Sequence, residues 1–176
     1  MSTTPHIAKP LDRSLLAQRW QAMCADPAFN DVLGKVELNE WGDVLMNPPV
    51  GKPHGWTATR VAIVLEQFLG GRTMVEVGII TSAGVRVPDV VWSSDTWLAQ
   101  HPENAPLTSA PETCVEISSP SNTLSELRRK ARAYVEAGAV EAWVVSPADR
   151  TVDVHTAVGR TDSTTYTVNL QDLFRD

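Results

Sequence analysis

With 176 residues, 43% of them hydrophobic, the chain is long enough for one domain with a proper core and too short to expect two. A net charge of −6 and an isoelectric point near 5.2 argue against a protein that coats nucleic acid through a broadly basic surface, while fifteen Lys and Arg leave room for a local basic cleft. No apolar run approaches a membrane span, and the polar stretch from Met1 to Pro10 lacks the charged start and apolar middle of a signal peptide, so a cytoplasmic protein without a membrane partner is expected.

Leu11, Leu15, Leu16, Trp20 and Met23 recur at helical spacing and predict an amphipathic helix over 11–26, ending before Pro27. Residues 1–30 therefore read as an N-terminal helical extension, and 31–176 as a single α/β domain. Segments 32–38 and 43–46 flank Asn39-Glu40-Trp41-Gly42, a hairpin signal with glycine supplying the turn. The Pro-rich stretch 47–53 is a loop. From His54 to Leu69 the apolar residues fall almost all round, which predicts a largely buried helix stopped by Gly70-Gly71. Segments 73–80 and 84–92 carry β-branched residues on either side of Ser82-Ala83-Gly84, a second hairpin whose later strand holds Asp89 towards its end.

A short helix over 94–100, a loop over 102–111, a strand over 112–117 and a sharp turn at 118–122 follow. Thr123-Leu124-Ser125-Glu126 fits a capping box, so a helix should run from Thr123 to Gly138, before an apolar strand at 140–145. Closing strands are expected at 151–156 and 164–168. This order gives an α/β fold with a mixed β-sheet flanked by helices, in which 112–145 forms one right-handed crossover. Cys24 and Cys114 have no companions at ligand spacing, so neither zinc nor a disulfide framework is indicated, and Cys114 reads as core.

Three separated residues carry the chemistry. Asp89 follows Pro88, which cannot donate to a sheet ladder and so marks an edge or bulge able to aim a carboxylate out of the sheet; the bland reading is a strand end. Glu116 lies between Val115 and Ile117 in a run destined for a central strand, where a charge is rarely buried without a partner. Alternation puts Cys114, Glu116 and Ser118 on one face, so solvent is its ordinary alternative. Lys130 lies about 40° from Tyr134, at the margin of the stripe Leu124, Leu127, Ala131, Tyr134 and Val135. Its long stem can reach along the sheet, as plain snorkelling or as a reactive group, with Arg128 its competitor at the other margin. Two carboxylates suffice to hold a hard divalent cation, because the remaining positions go to water and phosphate.

These residues resemble the Uma-two family of restriction-endonuclease-like proteins, members of the PD-(D/E)xK nuclease superfamily. The resemblance spans roughly 33–156 and rests on Val36-Glu37-Leu38, Pro48-Pro49 with His54, Arg86-Val87-Pro88-Asp89-Val90, Val115-Glu116-Ile117-Ser118-Ser119-Pro120-Ser121, Lys130 with Tyr134, Gly138 to Val145, and Val152 to His155. It implies a restriction-endonuclease-like fold and Mg2+-dependent cleavage of DNA, Mn2+ being the alternative ion, with Asp89 and Glu116 as metal ligands. The superfamily's lysine two residues after the glutamate is Ser118 here, and the resemblance implies that Lys130 on the helix takes that role. Glu37 matches a further family glutamate, with Glu66 on the apolar helix as its rival. His54 also matches a family position, but a lone helix-opening histidine is more often a cap or exposed residue than a metal ligand. A homodimer would suit cutting two strands. The competing expectations are a catalytically inactive binding module that keeps the nuclease fold, and a structural homodimer in which Glu116 pairs with Arg128 or Lys130.

Overall fold

In the computed structural model, residues 9–102 and 106–175 are described; residues 1–8 of the expected extension and 103–105 of the expected 102–111 loop lie outside them. Helix α1, Arg13–Ala25, starts where the Asp12 carboxylate accepts the Leu15 amide, and its Leu16, Trp20 and Met23 are buried with Leu38, Ile80, Val85 and Val87. Strands β1, Lys35–Leu38, and β2, Val44–Asn47, form the expected antiparallel hairpin.

Each of the two long strands expected next is divided. The first becomes β3, Arg72–Met74, and β4, Ile79–Thr81, with Glu76 between them in a left-handed conformation at φ 56°. The second becomes β5, Gly84–Arg86, and β6, Val90–Ser93, separated at Pro88, which has no amide hydrogen to continue a ladder. The inner halves pair as the expected hairpin, Ile80 opposite Val85, and join a four-stranded sheet of order β2-β1-β5-β4. The outer halves pair Thr73 with Trp92 in a second sheet. The chain therefore changes sheets across 87–89, and Asp89 precedes β6 rather than lying near a strand's end. Gly84 has φ 109°, and an added Cβ would stand 2.2 Å from the Leu38 carbonyl; only glycine lets β5 cross so close to β1.

The six-stranded sheet has order β10-β9-β8-β7-β6-β3, with β7, Thr113–Ile117; β8, Glu141–Ser146; β9, Thr151–Thr156; and β10, Gly159–Thr161. Its one parallel pair is β7 with β8, joined by α4, Leu124–Glu136, whose Thr123–Glu126 capping box forms as expected. Residues 164–168 form no strand, because the backbone amide of Thr165 goes to the Glu141 carboxylate instead of a ladder.

Helix α2, Lys52–Leu69, begins two residues before the expected start, since Pro53 suits a first helical turn. Its Val61, Val64 and Leu65 pack on one sheet face with Val115, Ile117 and Trp143; Leu127, Ala131 and Tyr134 of α4 cover the other with Cys114, Ala142 and Val144. Each fully buried Val or Leu contributes about 1.5–3 kcal/mol. The helix is not largely buried, however: it lies on the sheet through a single face, leaving Trp56, Ile63 and Phe68 at 68%, 49% and 48% exposure. A short helix α3, Asp95–Gln100, is capped by the Ser94 side chain. Among the described residues no helix is long and apolar enough to cross a membrane.

Candidate active site

The change of sheet at 87–89 opens a cleft of about 180 Å³ where β1, the α2 N-terminus, β7 and α4 converge. Asp89, Glu116, Lys130 and Glu37 all line it. Their arrival follows from local rules. Pairing of the Asp89 amide with the Val115 carbonyl at 2.9 Å holds Asp89 against β7 although the ladder has been broken at Pro88. Alternation along β7 sends Glu116 to the α4 face beside Cys114, so it meets a helix rather than solvent. Lys130 stands one turn before Tyr134 and reaches the same carboxylate.

The site contains two linked groups. In the first, Glu37 Oε1 accepts the Val87 amide at 2.9 Å and lies 2.8 Å from Lys130 Nζ, while Arg86 donates to its Oε2 at 3.2 Å. Lys130 Nζ also donates to Glu116 Oε1 at 3.1 Å, and the Tyr134 hydroxyl donates to the same oxygen at 2.6 Å. In the second, Asp89 Oδ2 accepts the Ile117 amide at 2.7 Å and lies 3.0 Å from His54 Nε2; Oδ1 pairs with Lys35, whose Nζ also donates to the Val87 carbonyl at 2.9 Å.

The electrostatics separate the carboxylates. Burial works against charge on Asp89, but His54 and Lys35 overcome it and hold the carboxyl far below its ordinary range. Burial likewise opposes ionisation of Glu37, which is nonetheless held low by Lys130, the Val87 amide and Arg86. For Glu116 burial prevails: its carboxyl is pushed up, with the charges of Asp89 and Glu37 adding to the shift against Lys130 and Lys35. Lys130 is disfavoured by burial yet raised to about 12 by Glu116 and Glu37. Burial and the two glutamates push the Tyr134 phenol well above its usual value, so it donates as a neutral hydroxyl.

The donor set suits a hard cation. Asp89 and Glu116 offer carboxylate oxygens to one cleft, and a divalent charge there would favour the ionised form of Glu116 that burial, with the charges of Asp89 and Glu37, opposes. No three His, Cys, Asp or Glu side chains converge as a ligand cage among the described residues. A hard cation can be held by one or two carboxylates when water and phosphate complete its shell.

Of the residues in contention, Glu66 lies outside the cleft and accepts the amide and hydroxyl of Thr73. Arg128 turns away to Asp153 at 2.6 Å. His54 is neither a helix cap nor exposed: it is buried against Asp89, and its Nδ1 has no hydrogen-bond partner among the described residues. Lys35, Arg86 and Tyr134 had no assigned role in the sequence reading. The signal for Lys35 was present, since it stands two residues before Glu37 and strand alternation puts both on one face.

The sequence profile of a family described as "Putative restriction endonuclease", Uma2, matches residues 26–174. No curated protein matches the chain. Among solved structures, the fold is similar to "a putative nuclease belonging to DUF820" from Anabaena variabilis ATCC 29413, with a TM-score of 0.64 at 17% identity, covering 83% of this chain and 94% of that one.

Proposed function

Given that the chain belongs to the Uma2 family, we propose that it is a metal-dependent endonuclease that hydrolyses DNA phosphodiester bonds, with Asp89 and Glu116 holding Mg2+ or Mn2+. The observation that carries the reading is the convergence of two buried carboxylates and two lysines on one cleft. Such an ion polarises phosphate and lowers the pKa of bound water.

The chain's own residues divide the remaining tasks. His54, Lys35 and the Ile117 amide fix Asp89 from three directions, so its carboxylate keeps one orientation. Tyr134 fixes Glu116 from helix α4. Lys130, protonated throughout the neutral range, orients the attacking water and offsets negative charge growing on phosphate. Glu37 positions Lys130 instead of reacting. The protein acts in the cytoplasm, and a homodimer would bring one cleft to each strand of a duplex; sedimentation showing only monomer under cleaving conditions would remove that last element.

The test is cleavage of supercoiled DNA with Mg2+ or Mn2+, beside calorimetric titration of the ion. Asp89→Asn and Glu116→Gln should each abolish cleavage and weaken ion binding with circular dichroism unchanged. Cleavage retained by both folded variants would end the proposal, and a wild type that binds neither ion would favour the inactive binding module.

A further inference from the structure

A second depression, of about 580 Å³, starts from the same end of α2 as the cleft and is lined by Trp56, Arg60 and Ile63 of α2, Arg150 of the β8–β9 turn, and Phe174 and Arg175 beyond it. Its wall begins at Pro53 and Thr57, which flank the cleft residue His54. No Asp or Glu lines it among the described residues, in a chain whose net charge is −6. Arg60 Nε donates to the Asp172 carbonyl at 2.9 Å and Arg150 donates to the Phe174 carbonyl at 3.0 Å. Carbonyls orient a guanidinium without neutralising it. Among the described residues only Arg175 of these has a carboxylate partner, Asp172, at 3.1 Å.

Trp56 is the most exposed of the groove's large hydrophobic side chains, at 68%. The Lys52 ammonium sits over its ring, 4.3 Å from the centroid, and covers one face of an indole that is otherwise largely exposed. An open indole beside arginines with spare positive charge combines the two features by which single strands are held: a face on which a base stacks and cations that follow the backbone.

We propose that this groove binds a single-stranded segment of DNA leading into the cleft, with a base on Trp56 and phosphates on Arg60 and Arg150. The proposal rests on the nuclease reading and adds a substrate track to it. An intact duplex keeps its base faces stacked internally and offers none to Trp56. A two-fold contact between copies of this chain across the groove would set arginines against arginines.

The experiment is fluorescence anisotropy of a labelled oligo-dT strand with wild type and variants in EDTA, so that binding is read without cleavage. Trp56→Ala should weaken binding about tenfold or more, and Trp56→Phe should restore most of it. Arg150→Gln should reduce the slope of log affinity against log salt by about 0.7. Affinity and slope unchanged in these variants would overturn the groove, as would equally tight, Trp56-dependent binding of a blunt duplex. Loss of a dimer in Trp56→Ala at unchanged strand affinity, seen by sedimentation, would make the surface a self-association face and overturn it too. The two readings fail separately: a wild type that cleaves while the groove variants bind normally overturns the groove alone, and one that binds through Trp56 but never cleaves overturns hydrolysis alone.

Discussion

Glu116 and Glu141 sit on adjacent parallel strands, and both are nearly sealed from solvent, at 3% and 0% exposure. Their surroundings are opposite. Glu141 receives the Trp143 indole N–H at 2.7 Å, the Thr164 hydroxyl at 2.7 Å, and the amide and hydroxyl of Thr165 at 2.7 and 2.6 Å, all from neutral donors. It fastens the segment after β10 to the sheet. Glu116 faces Lys130, Tyr134 and the charges of Asp89 and Glu37, and its carboxyl is pushed towards the neutral form. Burial of a carboxylate therefore does not mark a reactive site. What marks it is charge on charge in a cleft, left short of the balance that neutral donors supply to Glu141.

Glu116→Gln is the largest break in that contrast. DNA cleavage should fall on the order of 10³-fold or more, above the 10- to 100-fold that loss of a supporting group costs. The urea midpoint should hardly change, because glutamine keeps the side chain's shape and an acceptor oxygen for the Tyr134 hydroxyl, and Lys130 keeps Glu37. A variant that unfolds instead would show Glu116 to be a structural clamp like its neighbour. Glu141→Ala should behave in the reverse sense. Stranding the buried Trp143 donor and three part-buried ones from Thr164 and Thr165 costs about 3 kcal/mol, which lowers the melting temperature by about 6–12 °C in a chain of this size. Cleavage per folded molecule should survive, and calorimetry finding no loss of stability would dissolve the comparison.

The same contrast explains what could be read in the sequence. The apolar run around Glu116 and the capping box at Thr123 set the strand, helix and parallel strand, and with them the meeting of Glu116 and Lys130. The division into two sheets was not legible, since β-branched runs at 73–80 and 84–92 look continuous while a left-handed Glu76 and one proline redirect them. Nor was the fate of 164–168, where strand-like residues surrender Thr165 to a glutamate more than twenty positions earlier in the chain. Lys35 and Arg86 were missed because a cation's partner is chosen by tertiary packing; Glu37 alone recruits Arg86 and Lys130 from two different elements.

Lys130 offers the smallest and most selective test, because Glu141 has no cationic partner among the described residues and so no counterpart to its titration. Held at about 12 in the fold against 10.5 for a free lysine, its raised pKa stabilises the native state fully below pH 10.5, and that contribution is lost as pH climbs through 12. A shift of this size is worth about 2 kcal/mol. Tyr134 acts in the same direction, since a phenol kept neutral by burial disfavours the fold once unfolded chains begin to ionise above pH 10.0. Urea midpoints followed from pH 9 to 12 should therefore fall steeply in wild type. In Lys130→Met the tyrosine contribution remains and the lysine contribution is gone, so the decline should be shallower by about 2 kcal/mol over the same interval. An equal slope in both proteins would mean that Lys130 is not held between Glu37 and Glu116 in solution, and the cleft would lose the cation that distinguishes Glu116 from Glu141.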